Sequence, residues 1–290
     1  MMSMTRWPFF LFLALTVAAV GPAAKKVKAA DELDLYLVMT MAGVTAGSVK
    51  LSIDDQDSRT VSKLAMKSKG MFKFLTGYKS KATAHSTGGI EGMSPMPLSY
   101  DSTYKTKNTE RRVEIRYDGA TGEIDTFGSW KFDKPRKPKV PASLQAATVD
   151  PLTAMVQFRH WIRELRIGGG VQKVGTAEPV AESKVLDVFD GRRRYQLQIG
   201  LLERFEADYD GRDVPALRFR VDMKALAGFS EKDMLANWAS EDGQRWIEVI
   251  VTDDDNPIPL SMATIGGTLK TSVYLRKICR GEENCKKING

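Results

Sequence analysis

Short runs in which apolar and polar residues alternate recur along most of this 290-residue chain. The first run begins at Leu33, the second covers Val49 to Ile53, and Gly43 and Gly47 lie between them. Because successive side chains of a strand point to opposite faces of a sheet, a period of two predicts half-buried strands. The glycines allow a tight reversal, so the two runs together predict a β-hairpin.

The same alternation continues to the end of the chain and predicts a mainly β fold class. Further strands are predicted at 61–66, 83–86, 98–104, 113–117, 184–188, 192–199, 217–221, 246–252, 260–264 and 268–275. An apolar sheet face has to be covered by another layer or by the sheet itself. We therefore expect a single curved antiparallel sheet, a half-barrel or barrel-like, wrapped on one amphipathic helix, with a second short helix.

Two helices are predicted from capping residues. Asp150 can cap a helix whose first position is Pro151, and Gly168 to Gly170 would end it. Its apolar stripe consists of Leu152, Met155, Val156, Ile162 and Leu165. A second, short helix is predicted to begin at Ser230, with Asp233 completing the capping arrangement.

The N-terminus has the order of a secretory signal peptide. Arg6 precedes an apolar run from Trp7 to Val20, and small residues follow. A run of this length is too short to cross a bilayer as a helix, so we expect export with cleavage after Ala23 or Ala29. Residues 30–290 are then expected to form a single β-rich domain with a Pro/Lys-rich linker at 134–141.

The charge of the exported chain argues against one class of partner. Without residues 1–29, the chain keeps 39 basic and 36 acidic side chains, which is a net charge of +3. Binding to nucleic acid requires a concentrated basic face on a recognisable module. No nucleic-acid partner is therefore expected.

The sequence contains none of the common catalytic motifs. There are two histidines, and no zinc-protease, nucleophile-elbow or phosphate-loop spacing is present. Both His85 and His160 are expected to be structural, and Asp253 to Asp255 are expected to form an acidic turn. The sequence predicts a non-enzymatic protein with no cofactor and no metal site.

One segment stands out because it lacks acids. Between Ser58 and Ile90 all the charged residues are basic, and aromatic residues are interleaved with them. Basic and aromatic groups together suit an anionic lipid surface. The predicted membrane contacts are Lys67, Lys69, Phe72, Lys73 and Phe74. The alternative is a solvated hairpin whose aromatic side chains belong to the core.

A second segment has three successive arginines after an Asp-Gly turn. Alternation along a strand would place Arg192 and Arg194 on one face and Arg193 and Tyr195 on the other. One interpretation is that these four residues bind the anionic headgroup of an amphiphilic ligand. The alternative is that the arginines pair with acids such as Asp187 or Asp208.

Cys279 and Cys285 are the two cysteines of the chain. In an oxidising compartment, a pair this close in sequence predicts a short disulfide. Closing such a small loop would stabilise the fold by about 2 kcal/mol.

The helix start from Asp150 to Ala154 and the segment from Val188 to Tyr195 resemble the domain of unknown function 3108 family of exported proteobacterial proteins. The resemblance implies an exported, β-rich protein and no catalytic residues. Members often carry cysteines at the positions around Ser183 and Leu217, where this chain has none. The pair formed by Cys279 and Cys285 is then a local substitute.

These observations lead to one expected function and one alternative. We expect a periplasmic, non-enzymatic binding protein that carries or senses an amphiphilic, lipid-like ligand in cell-envelope maintenance. The alternative is a structural or chaperone-like partner of an envelope protein assembly, with no small ligand.

Overall fold

The computed structural model describes residues 32–56, 58–89, 93–167, 182–230, 245–266, 270–280 and 284–287. Three predictions lie outside these ranges: the signal peptide, the helix end at Gly168 to Gly170, and most of the helix predicted to begin at Ser230, which would occupy residues 231–244.

In the described ranges the chain forms fifteen strands and two α-helices. The strands of the first half are β1 (Leu33–Met41), β2 (Val44–Gln56), β3 (Arg59–Ser68), β4 (Lys79–Thr87), β5 (Pro97–Thr106), β6 (Thr109–Tyr117), β7 (Ile124–Lys131) and β8 (Lys134–Pro135). The strands of the second half are β9 (Ser183–Phe189), β10 (Arg194–Tyr209), β11 (Arg212–Ala227), β12 (Trp246–Thr252), β13 (Pro259–Ile265), β14 (Thr271–Arg280) and β15 (Asn284–Lys287). The helices are α1 (Gly70–Thr76) and α2 (Pro151–Ile167).

All strand pairs belong to one antiparallel sheet. The strand order is β8-β7-β6-β5-β4-β3-β2-β1-β14-β13-β12-β11-β10-β9, and β15 pairs with β14 outside this path. The pairing of β1 with β14, in which Met41 lies opposite Thr271, joins the two halves of the chain. Strands β8 and β9 end the path and do not pair with each other in the described ladder, so the sheet is not closed. The predicted fold class is confirmed.

Helix α2 fills the concave side of the sheet. Its residues Trp161 and Ile162 are buried together with Phe219 and Leu201 of the second half. Its residue Leu152 is buried with Ile115 and Tyr100 of the first half, and Met155 packs against the strands in between. The rings of Phe158 and Phe219 meet edge to face at 5.0 Å between centroids. One helix thus covers the inward apolar rows of both halves.

The two ends of the sheet approach each other through side-chain contacts. The ring of Phe127 in β7 lies 5.5 Å from that of Phe189 in β9. Gly191, in the turn after β9, has a positive φ of 81°, and a Cβ there would lie 2.1 Å from Cγ1 of Val113 in β6. Glycine is therefore required for the turn to pack this closely on β6.

Several elements differ in extent from the sequence predictions. Strand β10 continues to Tyr209, ten residues beyond the predicted end at Ile199, because it forms a long two-stranded ribbon with β11. Strand β7 and helix α1 were not predicted. Lys134 and Pro135 of the predicted linker pair with β7 at the edge of the sheet. An edge tolerates proline because its missing N–H would face outward.

Asp150 caps α2 from a fully buried position. Its Oδ1 accepts hydrogen bonds from the backbone N–H groups of Leu152 and Thr153, and its Oδ2 accepts one from the hydroxyl of Thr153 at 2.6 Å. Burial raises the pKa of Asp150 to about 6, while the hydrogen bonds from Thr153 and Leu152 oppose that rise. The N-cap predicted from the sequence is confirmed. Its complete burial was not predicted.

We expect the Asp150→Asn substitution to flatten the pH dependence of stability. Between about pH 4 and pH 6, folded wild-type protein holds a proton on Asp150 that the unfolded chain has released, so its free energy of unfolding falls as pH rises, by about 3 kcal/mol at most. Asparagine keeps an acceptor for the two backbone N–H groups and does not titrate. Urea unfolding across this range measures the difference, and equal pH slopes in both proteins would contradict it.

Candidate functional site

Helix α1 projects from the end of the β3-β4 hairpin and buries none of its residues. Three large apolar side chains on it face water: Met71 is 64% exposed, Phe74 is 76% exposed and Leu75 is 58% exposed. Lys67, Lys69 and Lys73 are exposed around them, and Phe72 is half-buried. We call these seven residues the α1 surface; it contains all five residues that the sequence predicted as membrane contacts.

Backbone hydrogen bonds hold α1 in place. Lys69 donates its N–H to the carbonyl oxygen of Ala46, and Lys107 donates to that of Thr76. The helix ends at Gly77, whose left-handed conformation lets its N–H bond to the carbonyl oxygen of Lys73. The apolar side chains are therefore presented on a fixed backbone.

The surroundings of the α1 surface are basic. Nζ of Lys107, in the β5-β6 turn, lies 4.7 Å from the centroid of the Phe74 ring. On the strands that flank this turn, Glu110 pairs with Lys105 at 2.7 Å. The segment from Ser58 to Ile90 contributes no acid. The α1 surface therefore combines exposed apolar groups with an excess of cations.

The predicted arginine strand begins at Arg194 and not at Arg192. Oδ1 of Asp190 accepts the N–H groups of both Arg192 and Arg193, which holds these residues in a turn. The predicted alternation of faces from Arg192 onward is therefore wrong, because a turn does not have the period of a strand.

Arg193 and Arg194 form ion pairs with nearby acids. Arg193 contacts Oδ2 of Asp190 through Nε at 2.8 Å and Nη2 at 2.7 Å. Arg194 contacts Asp187 at 3.1 Å, as the alternative interpretation expected, and donates to the carbonyl oxygen of Leu144 at 3.0 Å. Structural pairing thus accounts for these two side chains.

Tyr195 and Arg192 have different surroundings. Tyr195 is 8% exposed, and burial raises the pKa of its hydroxyl well above the ordinary value. It packs edge to face against Phe229 at 6.4 Å. Arg192 instead lines a cleft together with Arg111 of β6. The four predicted ligand residues therefore do not converge on one site.

A polar cluster between α2, the end of β2 and the β12-β13 turn was missed by the sequence analysis. Nη1 of Arg159, on α2, lies 2.6 Å from Oδ2 of Asp55, and its Nε donates to the carbonyl oxygen of Pro257. Arg163 contacts the same Asp55 oxygen at 3.4 Å. Burial opposes the ionisation of Asp55, but Arg159 and the hydroxyl of Thr60 hold its pKa below the ordinary value. The cluster ties the helix to the sheet.

The acidic turn at Asp253 to Asp255 belongs to this cluster. Arg166 contacts Asp253 at 3.1 Å and Asp255 at 2.6 Å. Arg159, Arg163 and Arg166 follow at i, i+4 and i+7, which places them on one face of a helix. This spacing, together with three successive acids, is the signal from which the cluster could have been predicted.

Neither histidine lies in a group that resembles a metal centre. Nε2 of His160 lies 3.1 Å from Glu164 on the same helix. Burial and the neighbouring Arg59 lower the pKa of His85. Within the described ranges, no group of three potential metal-ligating side chains is found.

The register of the C-terminal hairpin brings the two cysteines together. Strand β14 pairs with β15 so that Cys279 lies directly opposite Cys285, and Cys279 is buried. The disulfide itself stays a prediction.

No helix in the described ranges is both long enough and apolar enough to cross a membrane.

Comparison with known proteins identified a family and structural similarity to solved proteins. The family described as "Protein of unknown function (DUF3108)" matches residues 35–264. No curated protein matches the chain. Among solved structures, the chain is similar to a beta-barrel-like protein of domain of unknown function DUF1849 from Brucella abortus, with 11% identity over 88% of this chain and 99% of that chain, and a TM-score of 0.49.

We expect Arg159→Ala to destabilise the fold more than Arg163→Ala. Arg159 is nearly buried, so its loss leaves Asp55 without its main partner and removes about 2 to 3 kcal/mol from the free energy of unfolding. Arg163 is about a third exposed and contacts the same carboxylate, so its loss costs about 1 kcal/mol or less. Urea unfolding of both variants measures the difference. Equal losses would contradict the assigned role of Arg159.

The predicted disulfide can be tested by substitution. We expect Cys285→Ser to lower the free energy of unfolding by about 2 kcal/mol, because the unfolded chain is no longer constrained. A reductant should destabilise the wild-type protein to the same extent and leave the variant unchanged. Thiol labelling of the denatured, unreduced wild-type chain supplies a second measurement, and two reactive thiols would rule the bond out.

Proposed function

The chain belongs to the DUF3108 family of proteins of unknown function, and from the α1 surface we propose that it is an exported, non-enzymatic envelope protein that attaches to an anionic membrane surface. One observation carries the proposal: Met71, Phe74 and Leu75 are exposed together on a short helix that is surrounded by lysines. The periplasmic location rests on the signal-like leader.

The apolar part of the α1 surface supports contact with lipid. Scattered exposed apolar residues are normal on proteins, but three large ones on two helical turns form a local patch. At a membrane they would leave water for the boundary between headgroups and acyl chains. Full burial of one such side chain contributes about 1.5 to 3 kcal/mol. The patch is small enough to give reversible attachment.

The lysines favour binding to anionic membranes over neutral ones. Lys67, Lys69 and Lys73 belong to the α1 surface, and Lys107 lies beside it. Each cation near an anionic lipid surface contributes about 1 kcal/mol. Since residues 58–90 contain no acid, no carboxylate of this segment opposes that attraction. Anionic vesicles are therefore expected to bind the protein and neutral ones to bind it weakly.

The fixed position of α1 lowers the cost of binding. Its hydrogen bonds to Ala46 and Lys107 exist before any contact with lipid. A preformed surface loses less conformational entropy on binding than a disordered segment does. The apolar and basic groups can thus act together.

The packing of α2 against the inward apolar rows supports attachment at the surface over a carrier that encloses acyl chains. In the described ranges, the inward apolar rows are buried against α2. We therefore expect the protein to contact amphiphiles within a membrane and not to enclose them as single molecules. A protein partner in an envelope assembly remains the competing proposal, and retention of one stoichiometric protein without lipid dependence would favour it.

Vesicle flotation tests the proposal. We expect the wild-type protein to float with vesicles that contain phosphatidylglycerol and to remain unbound with pure phosphatidylcholine. The double variant Phe74→Ser/Leu75→Ser should bind at least about tenfold more weakly, because two apolar side chains no longer enter the membrane. Lys69→Gln/Lys73→Gln should weaken binding by a similar factor and reduce its salt dependence.

Val185→Ser provides the matched control, because Val185 is also exposed, at 52%, but lies on β9. It should bind like the wild-type protein. Since α1 buries none of its residues, all variants should keep the wild-type melting temperature. Equal flotation with neutral and anionic vesicles, or equal loss in the Val185 control, would refute membrane attachment.

A further inference from the structure

We propose that the cleft between the two ends of the sheet binds a phosphate group. The cleft lies between β6, β7, the segment after β8 and the turn that follows β9, and its volume is about 80 Å³. That space is enough for a small ion, because about 10 to 15 Å³ already holds one water molecule. This inference concerns a different surface from α1 and does not depend on membrane attachment.

The charge of the cleft lining is the first argument. Six of its residues are cationic: Arg111, Lys131, Arg136, Lys137, Lys139 and Arg192. None of the described lining residues carries a carboxylate. Like charges gathered around a concave surface repel one another and focus a positive potential, and a bound anion relieves both effects.

The neighbouring carboxylates already have other cations as partners. Glu110 pairs with Lys105, and Glu114 pairs with Arg112. On the opposite side of the cleft, Asp190 pairs with Arg193. These acids do not line the cleft, so the described lining keeps an excess of positive charge.

A buried donor is the second argument. Nε of Arg111 is buried and has no hydrogen-bond partner in the described part of the chain. Buried polar groups of proteins are nearly always hydrogen-bonded, so a ligand oxygen bound in the cleft would supply the acceptor that this donor lacks among the described residues. The planar guanidinium group binds phosphate oxygens with two parallel hydrogen bonds, which makes phosphate the fitting ligand chemistry.

The backbone around the cleft is rigid. Gly191 allows the turn after β9 to pack on Val113, and this contact sets Arg192 on the same cleft as Arg111. Arg136 donates its N–H to the carbonyl oxygen of Ser129 at 2.8 Å, and Pro135 and Pro138 restrict the chain on either side of it. The segment 134–141, which its composition identified as a linker, thus supplies three of the six cationic residues, namely Arg136, Lys137 and Lys139.

Calorimetric titration at low ionic strength tests the proposal with two soluble probes. Inorganic phosphate represents a free phosphate ion, and glycerophosphoglycerol represents the headgroup of an anionic lipid. We expect one or both to bind with one-to-one stoichiometry, while chloride at the same ionic strength does not. Arg111→Gln should weaken binding about tenfold, the effect of losing one hydrogen bond between charged groups.

Two further variants change exposed residues, so their effects on binding can be measured without loss of the fold. Arg136→Gln changes an exposed residue of the cleft and should also weaken binding, whereas Lys63→Gln removes an exposed cation from β3 and should not. Preference for inorganic phosphate would assign the site to the free ion, and preference for the diester would assign it to a lipid headgroup. Binding of neither probe, or the same loss in Lys63→Gln, would overturn the proposal.

Discussion

The packing of α2 against the concave side of the sheet is the contact on which the rest of the structure depends. A single antiparallel sheet of this length presents continuous apolar rows on one face, and those rows need a partner. Trp161 and Ile162 cover the rows of the second half, and Leu152 covers those of the first. Because one helix serves both halves, the sheet has to curve around it.

Polar interactions at the start and in the middle of α2 set its position along the sheet. Asp150 satisfies backbone donors at the first turn, and Arg159 reaches Asp55 further along the helix. Apolar packing alone is compatible with sliding of the helix, whereas buried polar groups are satisfied in one arrangement. In the described ranges, the apolar rows that face the helix are covered by the protein's own residues. The two surfaces for which binding is proposed, α1 and the cleft between the sheet ends, lie outside this core.

The sequence predicted the architecture better than the sites. Period-two alternation and the Asp150-Pro151 helix start are local signals, and the strands and α2 follow from them. The turn that holds Arg192 and Arg193 depends on where Asp190 directs its carboxylate, which alternation does not encode. The partner of Arg159 and the residues that share the cleft with Arg111 lie far from them in the chain. The five residues proposed as membrane contacts were identified from composition, because a lack of acids over a whole segment is visible without the fold.

Helix α1 is attached to the molecule by backbone hydrogen bonds, and none of its side chains contributes to the core. The amino acids at Met71, Phe74 and Leu75 can therefore change with little effect on folding. Relatives of this protein are free to diversify this one loop on a constant framework. An engineer could likewise graft a different recognition peptide between β3 and β4 and retain the parent scaffold.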